Sequence, residues 1–158
     1  MKIVLQRVTG GGVTIGSRER REIGPGLVML IGVCPADNEN IVKFMAAKAA
    51  NLRIFGDENG AMNLSLLDTG GAVLAISNFT LYANCRKGRR PSFADAAAPV
   101  LAEPLYDLFV RELHALGIRD VKTGEFGADM KVEIMNDGPV AVILDSGEII
   151  PENRIGSR

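Results

Sequence analysis

Apolar and polar residues alternate along two stretches near the ends of the chain. From Ile3 to Thr9, Val4, Gln6 and Val8 fall on one side, and Ile3, Leu5 and Arg7 on the other. That period of two predicts a strand with one arginine on an otherwise apolar face. Gly10-Gly11-Gly12 is expected to break it, with Val13-Thr14-Ile15 as its hairpin partner. Near the other end, Met130, Val132 and Ile134 alternate with Lys131 and Glu133, and Val140, Val142, Ile143 and Leu144 resume the apolar pattern after Asn136-Asp137-Gly138-Pro139. Proline has no N–H to give a ladder, so Gly138-Pro139 is expected between two strands, as a tight turn or bulge or as a rigid functional corner. Leu27–Val33 and Ala72–Ile76 are continuous apolar runs suited to buried strands. Arg18–Ile23 reads as a solvated edge strand or loop, and Asp57–Gly60 as a turn between Arg53-Ile54-Phe55 and Met62-Asn63-Leu64.

Two segments change to helical spacing. Ile41, Phe44, Met45, Ala49 and Leu52 follow Asp37, a candidate cap. Leu101, Leu105, Leu108, Phe109, Leu113 and Leu116 define a second helix that Gly117 stops. Pro99 suits its first turn. Pro104 inside a helix costs about 3 kcal/mol, so either the helix begins after Pro99 or it kinks at Pro104. Many strands with two helices between strand groups predict one α+β (α/β) domain, residues 1–145, on a curved or closed mixed sheet. The polar tail, residues 146–158, is expected to fray.

At 158 residues, 47% hydrophobic and 23% charged, the chain has the composition of a globular protein with room for a full core. No run reaches the ~18 apolar residues of a membrane span, and Arg7 comes too early for a signal-peptide core; a cytoplasmic location is the expectation. A net charge of −1 gives no global pull on nucleic acid, so such binding needs a local patch. Arg86, Lys87, Arg89 and Arg90 form one candidate, a phosphate grip or simply a solvated loop. Cys34 and Cys85 lack metal-ligand spacing, no His/Cys cluster exists, and neither a metal nor a cofactor is expected.

Side-chain catalysts are scarce. The one histidine, His114, lies on the polar side of the second helix, so a hydrolase pairing it with Ser77 is a weak third reading. Ser77-Asn78-Phe79-Thr80 places polar groups where a buried strand emerges. Its backbone N–H groups could hold an oxyanion, or its side chains could merely cap the strand end. Arg7 needs acceptors, either carboxylates or backbone carbonyls.

Together these segments resemble the D-aminoacyl-tRNA deacylase family. Leu5-Gln6-Arg7-Val8-Thr9, Arg53-Ile54-Phe55, Ser77-Asn78-Phe79-Thr80-Leu81, Arg90-Pro91-Ser92-Phe93, Thr123-Gly124-Glu125-Phe126 with Ala128-Asp129-Met130, and Asn136-Asp137-Gly138-Pro139-Val140 carry the likeness, in order. The resemblance implies a barrel-like β/β/α three-layer domain with two main helices. It also implies a homodimer that hydrolyses the ester of D-aminoacyl-tRNA, and of glycine mischarged on tRNA-Ala. A cis Gly138-Pro139 bond would enter the partner's active site and reject L substrates by its carbonyls, with Arg7 fixing the corner. Ser77, Phe79 and Thr80 would line the catalytic site, Asn78 would take part in selection, and N–H groups near Phe79 and Thr80 would hold the scissile carbonyl. Phe126 and Met130 would hold the terminal adenosine, whose ribose 2′-hydroxyl would supply the reactive group. Two residues depart from the pattern: Asn78 stands where the family usually has glutamine, and Ala141 where it has threonine. The competing class is a non-catalytic RNA-binding domain of the same fold that uses the Arg86–Arg90 loop.

Overall fold

A computed structural model describes residues 1–17 and 19–150. The expected barrel-like α+β architecture is what the chain adopts. Eight strands, β1 (Lys2–Ile15), β2 (Glu19–Ile23), β3 (Gly26–Gly32), β4 (Phe55–Gly56), β5 (Met62–Leu64), β6 (Ala72–Ser77), β7 (Val121–Thr123) and β8 (Met130–Asp145), are joined by two main helices, α1 (Glu39–Asn51) and α3 (Pro99–Ala115). Short helices α2 (Leu66–Thr69) and α4 (Ser146–Ile149) complete the set.

The six-stranded sheet is built around β1. Its first half lies between β3 and β8, and its second half between β2 and β8, all antiparallel. From β3 the sheet continues through parallel pairs to β6 and β7. It then curls until Arg21 on β2 donates to the Thr123 carbonyl (2.7 Å) at the end of β7. Alternation along β3 and β6 separates two cores. Leu27, Met29, Ile31, Val73 and Ala75 face α1 and α3, against Met45, Ala49, Phe109 and Leu113. Val28, Ala72, Leu74 and Ile76 face the inside of the curl with Val8, Val13 and Ile15, against Met130, Val132 and Ile134.

Several local expectations are revised. Gly10-Gly11-Gly12 does not break β1, because strands on both sides supply ladder partners through the glycines, and tertiary pairing overrides weak strand propensity. A side chain at Gly11 would meet the Val28 methyl at 2.8 Å, so the small residue lets the sheet close there. Asn38, not Asp37, caps α1, accepting from the Asn40 and Ile41 N–H groups. Asp37 is buried and pairs instead with the Met1 amino group, which also donates to Ser146 Oγ (2.5 Å). The second helix both starts at Pro99 and runs through Pro104; burial of Leu105, Phe109 and Leu113 outweighs the one main-chain bond lost. The tail does not fray at once, since Ser146 and Ile150 are buried against the domain; its residues 151–158, with Pro151, Gly156 and Arg158, lie outside the described residues.

Candidate active site

The end of β6 is shaped by Asn78. Ser77 closes the ladder opposite Ile31, the Asn78 N–H donates to the Ile31 carbonyl (2.7 Å), and the chain turns into a 3-10 helix, Phe79–Tyr82. The Asn78 carboxamide oxygen caps that turn, accepting from the Thr80 N–H (3.1 Å) and from the Thr80 hydroxyl (2.5 Å). Of the two N–H groups expected to hold a carbonyl, Thr80's is therefore engaged. Phe79's, the first of the turn, finds no partner among the described residues.

This strand end opens on a cavity of about 820 Å³. Ser77, Asn78 and Phe79 form one wall, Phe126 and Met130 another, and Leu30, Ile76, Val132 and Ile134 carry the floor into the barrel interior. Thr80 is exposed beside the mouth and is not part of the lining. The Tyr106 hydroxyl, also at the cavity, donates to the Ala75 carbonyl (2.8 Å). Burial pushes its pKa well above the ordinary tyrosine value, so it stays protonated and cannot act as a base. His114 is elsewhere, its Nδ1 3.1 Å from the Ile118 carbonyl at the end of α3. The one carboxylate lining the cavity, Asp129, is exposed, and among the described residues it makes no hydrogen bond with Ser77, so no nucleophile–base pair is formed there. Among the described residues no cluster of three or more metal-ligating side chains occurs, and no described helix is long and apolar enough to cross a membrane.

The Gly138-Pro139 corner stands elsewhere. β8 pairs with β1 on both sides of it, Val8 opposite Asn136 and Gln6 opposite Ala141, so residues 137–140 bulge out opposite Arg7 alone. The Gly138-Pro139 bond is cis and Gly138 has φ +112, a region that favours glycine. Arg7 grips the bulge from below. Its Nη1 donates to the Ile54 carbonyl (2.6 Å), and its Nε lies 2.9 Å from Asp137 Oδ2 without hydrogen-bond alignment. A side chain at Gly138 would meet Nη2 at 2.9 Å. The partners are thus one carbonyl, by hydrogen bond, and one carboxylate, by charge. The corner borders its own cleft of about 600 Å³, with Arg7, Phe55 and Met62, and shares no lining residue with the cavity beside Ser77.

The four basic residues share one loop. Asn84 and Ser92 exchange both main-chain bonds (2.7 and 3.0 Å) and close it. Arg86 borders a small polar cleft with Lys2, Tyr82 and Asp95, while Lys87, Arg89 and Arg90 are exposed. Phe93 and Tyr106 line the main cavity and were not singled out as site residues from the sequence. Phe93 follows the basic run after Pro91 and Ser92, and that closeness is the signal that could have found it.

The sequence model of the D-Tyr-tRNA(Tyr) deacylase family matches residues 4–145. A D-aminoacyl-tRNA deacylase of Roseiflexus sp. (strain RS-1) is 53% identical over 146 residues, covering 92% of this chain and 94% of that protein. One of Chloroflexus aurantiacus is 51% identical over 158 residues, covering 100% of this chain and 98% of the relative. Among solved structures, a c-Myc DNA unwinding element binding protein superposes with a TM-score of 0.86 at 38% identity, over 92% of this chain and 98% of its own. A probable eukaryotic D-amino acid tRNA deacylase shares the fold, with a TM-score of 0.81 at 16% identity over 91% of this chain and 98% of its own.

Proposed function

The chain belongs to the D-aminoacyl-tRNA deacylase family, and on that premise we propose that it hydrolyses the ester joining a D-amino acid to the terminal adenosine of tRNA. The observation that carries the reading is the unpartnered Phe79 N–H at the mouth of a cavity with no histidine and no nucleophile–base pair among its lining residues. In such a site the protein supplies position and oxyanion stabilisation, while reactivity comes from the substrate. The terminal adenosine lies against Phe126 and Met130, the ester carbonyl points at the Phe79 N–H, and Ser77 and Asn78 bound the approach. Water attacks the carbonyl, the oxyanion collapses, and the ribose oxygen leaves with a proton relayed by the adjacent 2′-hydroxyl. The site works in the cytoplasm, where charged tRNA is available.

Chirality is read by a second copy of the chain. The Gly138-Pro139 corner and the Ser77–Phe79 wall border different cavities of one protomer, so one site can contain both only if two chains combine. Support for a homodimer also comes from the outer face of β8, where Met135 and Ile143 are 63% and 72% exposed. Carbonyls of the inserted corner accept from the substrate ammonium and collide with an L side chain, whatever its identity. Glycine, without a side chain, passes the filter, so glycine mischarged on tRNA-Ala is also a substrate.

Incubation with matched D- and L-aminoacyl-tRNA tests the reading. Loss of the D ester alone is expected; equal loss of both, or of neither, rejects it. The basic loop supports a second reading, tRNA binding without turnover. Retention of uncharged tRNA with a stable D ester, abolished by neutralising Arg86, Lys87, Arg89 and Arg90 together, would establish that instead.

A further inference from the structure

The rings of Phe79 and Phe93 meet edge to face, centroids 5.1 Å apart and planes at 76°. Both border the cavity, yet they are 58% and 38% exposed, so the pair stands at the mouth with aromatic surface left open to solvent. Large exposed rings are not stabilising on their own account, since their burial would be favourable. The basic loop springs from the same place. Phe93 immediately follows Ser92, whose two main-chain bonds with Asn84 close the loop, and Gly88 (φ +67) lets the loop turn. None of Arg86, Lys87, Arg89 and Arg90 forms an ion pair among the described residues. Open aromatic faces beside unpaired cations are the combination that holds single-stranded nucleic acid, the rings stacking bases and the cations following phosphates.

Resting on the esterase reading above, we propose that Phe79 and Phe93 form a stacking shelf for the unpaired nucleotide that precedes the terminal adenosine, and that the Arg86–Arg90 loop takes its phosphate. With the adenosine against Phe126 and Met130, the strand leaves the cavity past this pair. A base lying on the Phe93 face then fixes the direction from which the ester reaches the Phe79 N–H. The shelf accepts any base, since every base has a π face, and selects for a single-stranded 3′ end over a paired one.

Two small esters separate the shelf from the rest of the site: D-aminoacyl-adenosine, which has no internucleotide phosphate, and the D-aminoacyl ester of cytidylyl-adenosine, which adds one base and one phosphate. Wild-type kcat/KM for the dinucleotide ester should exceed that for the adenosine ester by about tenfold, through KM, and the advantage should shrink with added salt. Phe93→Ala should reduce the ratio to near one, and Phe93→Trp should restore it. An unchanged ratio in Phe93→Ala, or equal wild-type turnover of the two esters, overturns the shelf while leaving the esterase reading intact. Wild-type turnover of neither small ester nor of D-aminoacyl-tRNA removes the esterase reading and the shelf with it, and turnover of D-aminoacyl-tRNA alone overturns the shelf only.

Discussion

The single oxygen of the Asn78 carboxamide accepts both the N–H and the hydroxyl of Thr80, and so decides which donors the strand end leaves free. Asn78→Ala removes that cap. A loss of about 1 kcal/mol in urea denaturation is expected, together with lower kcat on the D ester because the turn presenting the Phe79 N–H loosens. Arg7 acts similarly on the other strand. From β1 it links the Gly138-Pro139 bulge, through Asp137, to the Ile54 carbonyl just ahead of β4. Arg7→Met keeps most of the bulk and removes the charge. The expected cost is about 1–3 kcal/mol, for a carbonyl left unpaired, and hydrolysis of L-aminoacyl-tRNA should rise relative to the D ester. Unchanged discrimination, measured on matched esters, would show that the corner holds its shape without Arg7. Both residues were legible as candidates, because a polar group amid apolar strand positions needs partners. Which partners they find was not legible: Ile54 and Asp137 are far from Arg7 in sequence, and Thr80 takes the Asn78 oxygen only in the turn's folded geometry.

The parallel β3–β6 pair presents the cavity wall, and its start is tightly built. A Cβ at Gly26 would fall 1.9 Å from the Ala72 carbonyl oxygen, so Gly26→Ala must push the two strands apart. A loss of about 3 kcal/mol or more by denaturation is expected, with weakened activity because β6 ends in Ser77. The short helix α2, which precedes β6, carries the reciprocal Ser65–Asp68 capping box. The Ser65 hydroxyl, then its N–H, hold the Asp68 carboxyl below the ordinary aspartate value of 3.8. Because the folded pKa is depressed, this contribution is fully present above the unfolded pKa and is lost as pH falls through the folded one. Asp68→Asn should therefore lower stability at neutral pH and flatten the dependence of the unfolding midpoint on pH below about 4. Equal slopes for both proteins would contradict the assignment. Period-two runs and continuous apolar runs were enough to find the main strands, and 3.6-residue spacing found both long helices. The short α2 and α4 offered too few residues for a periodic signal.

At the scale of the whole molecule, the Gly138-Pro139 corner and the Ser77–Phe79 wall border separate cavities of one chain, so the proposed stereoselective activity requires a pair of chains. Sedimentation velocity should show a dimer at micromolar concentration. Ile143→Glu places a charge on the exposed face of β8 and should shift the species toward monomer. Stereoselective turnover should fall with it, while the thermal transition of the monomer persists. A variant that stays dimeric and fully active would move the interface away from β8.

The amino-acid sequence by itself determined the class of fold, the two main helices, and the segments that mark the family, because local periodicity and short motifs are written within a few residues of one another. Only the tertiary structure decided that the glycine run stays inside one long strand, that Asp37 meets the Met1 amino group instead of capping α1, and that Thr80's N–H is already occupied. It alone placed Phe93 beside Phe79 and set the Gly138-Pro139 bulge opposite Arg7. Each of these depends on pairing between distant parts of the chain, where ladder hydrogen bonds, burial and the acceptor nearest in space prevail over local preference.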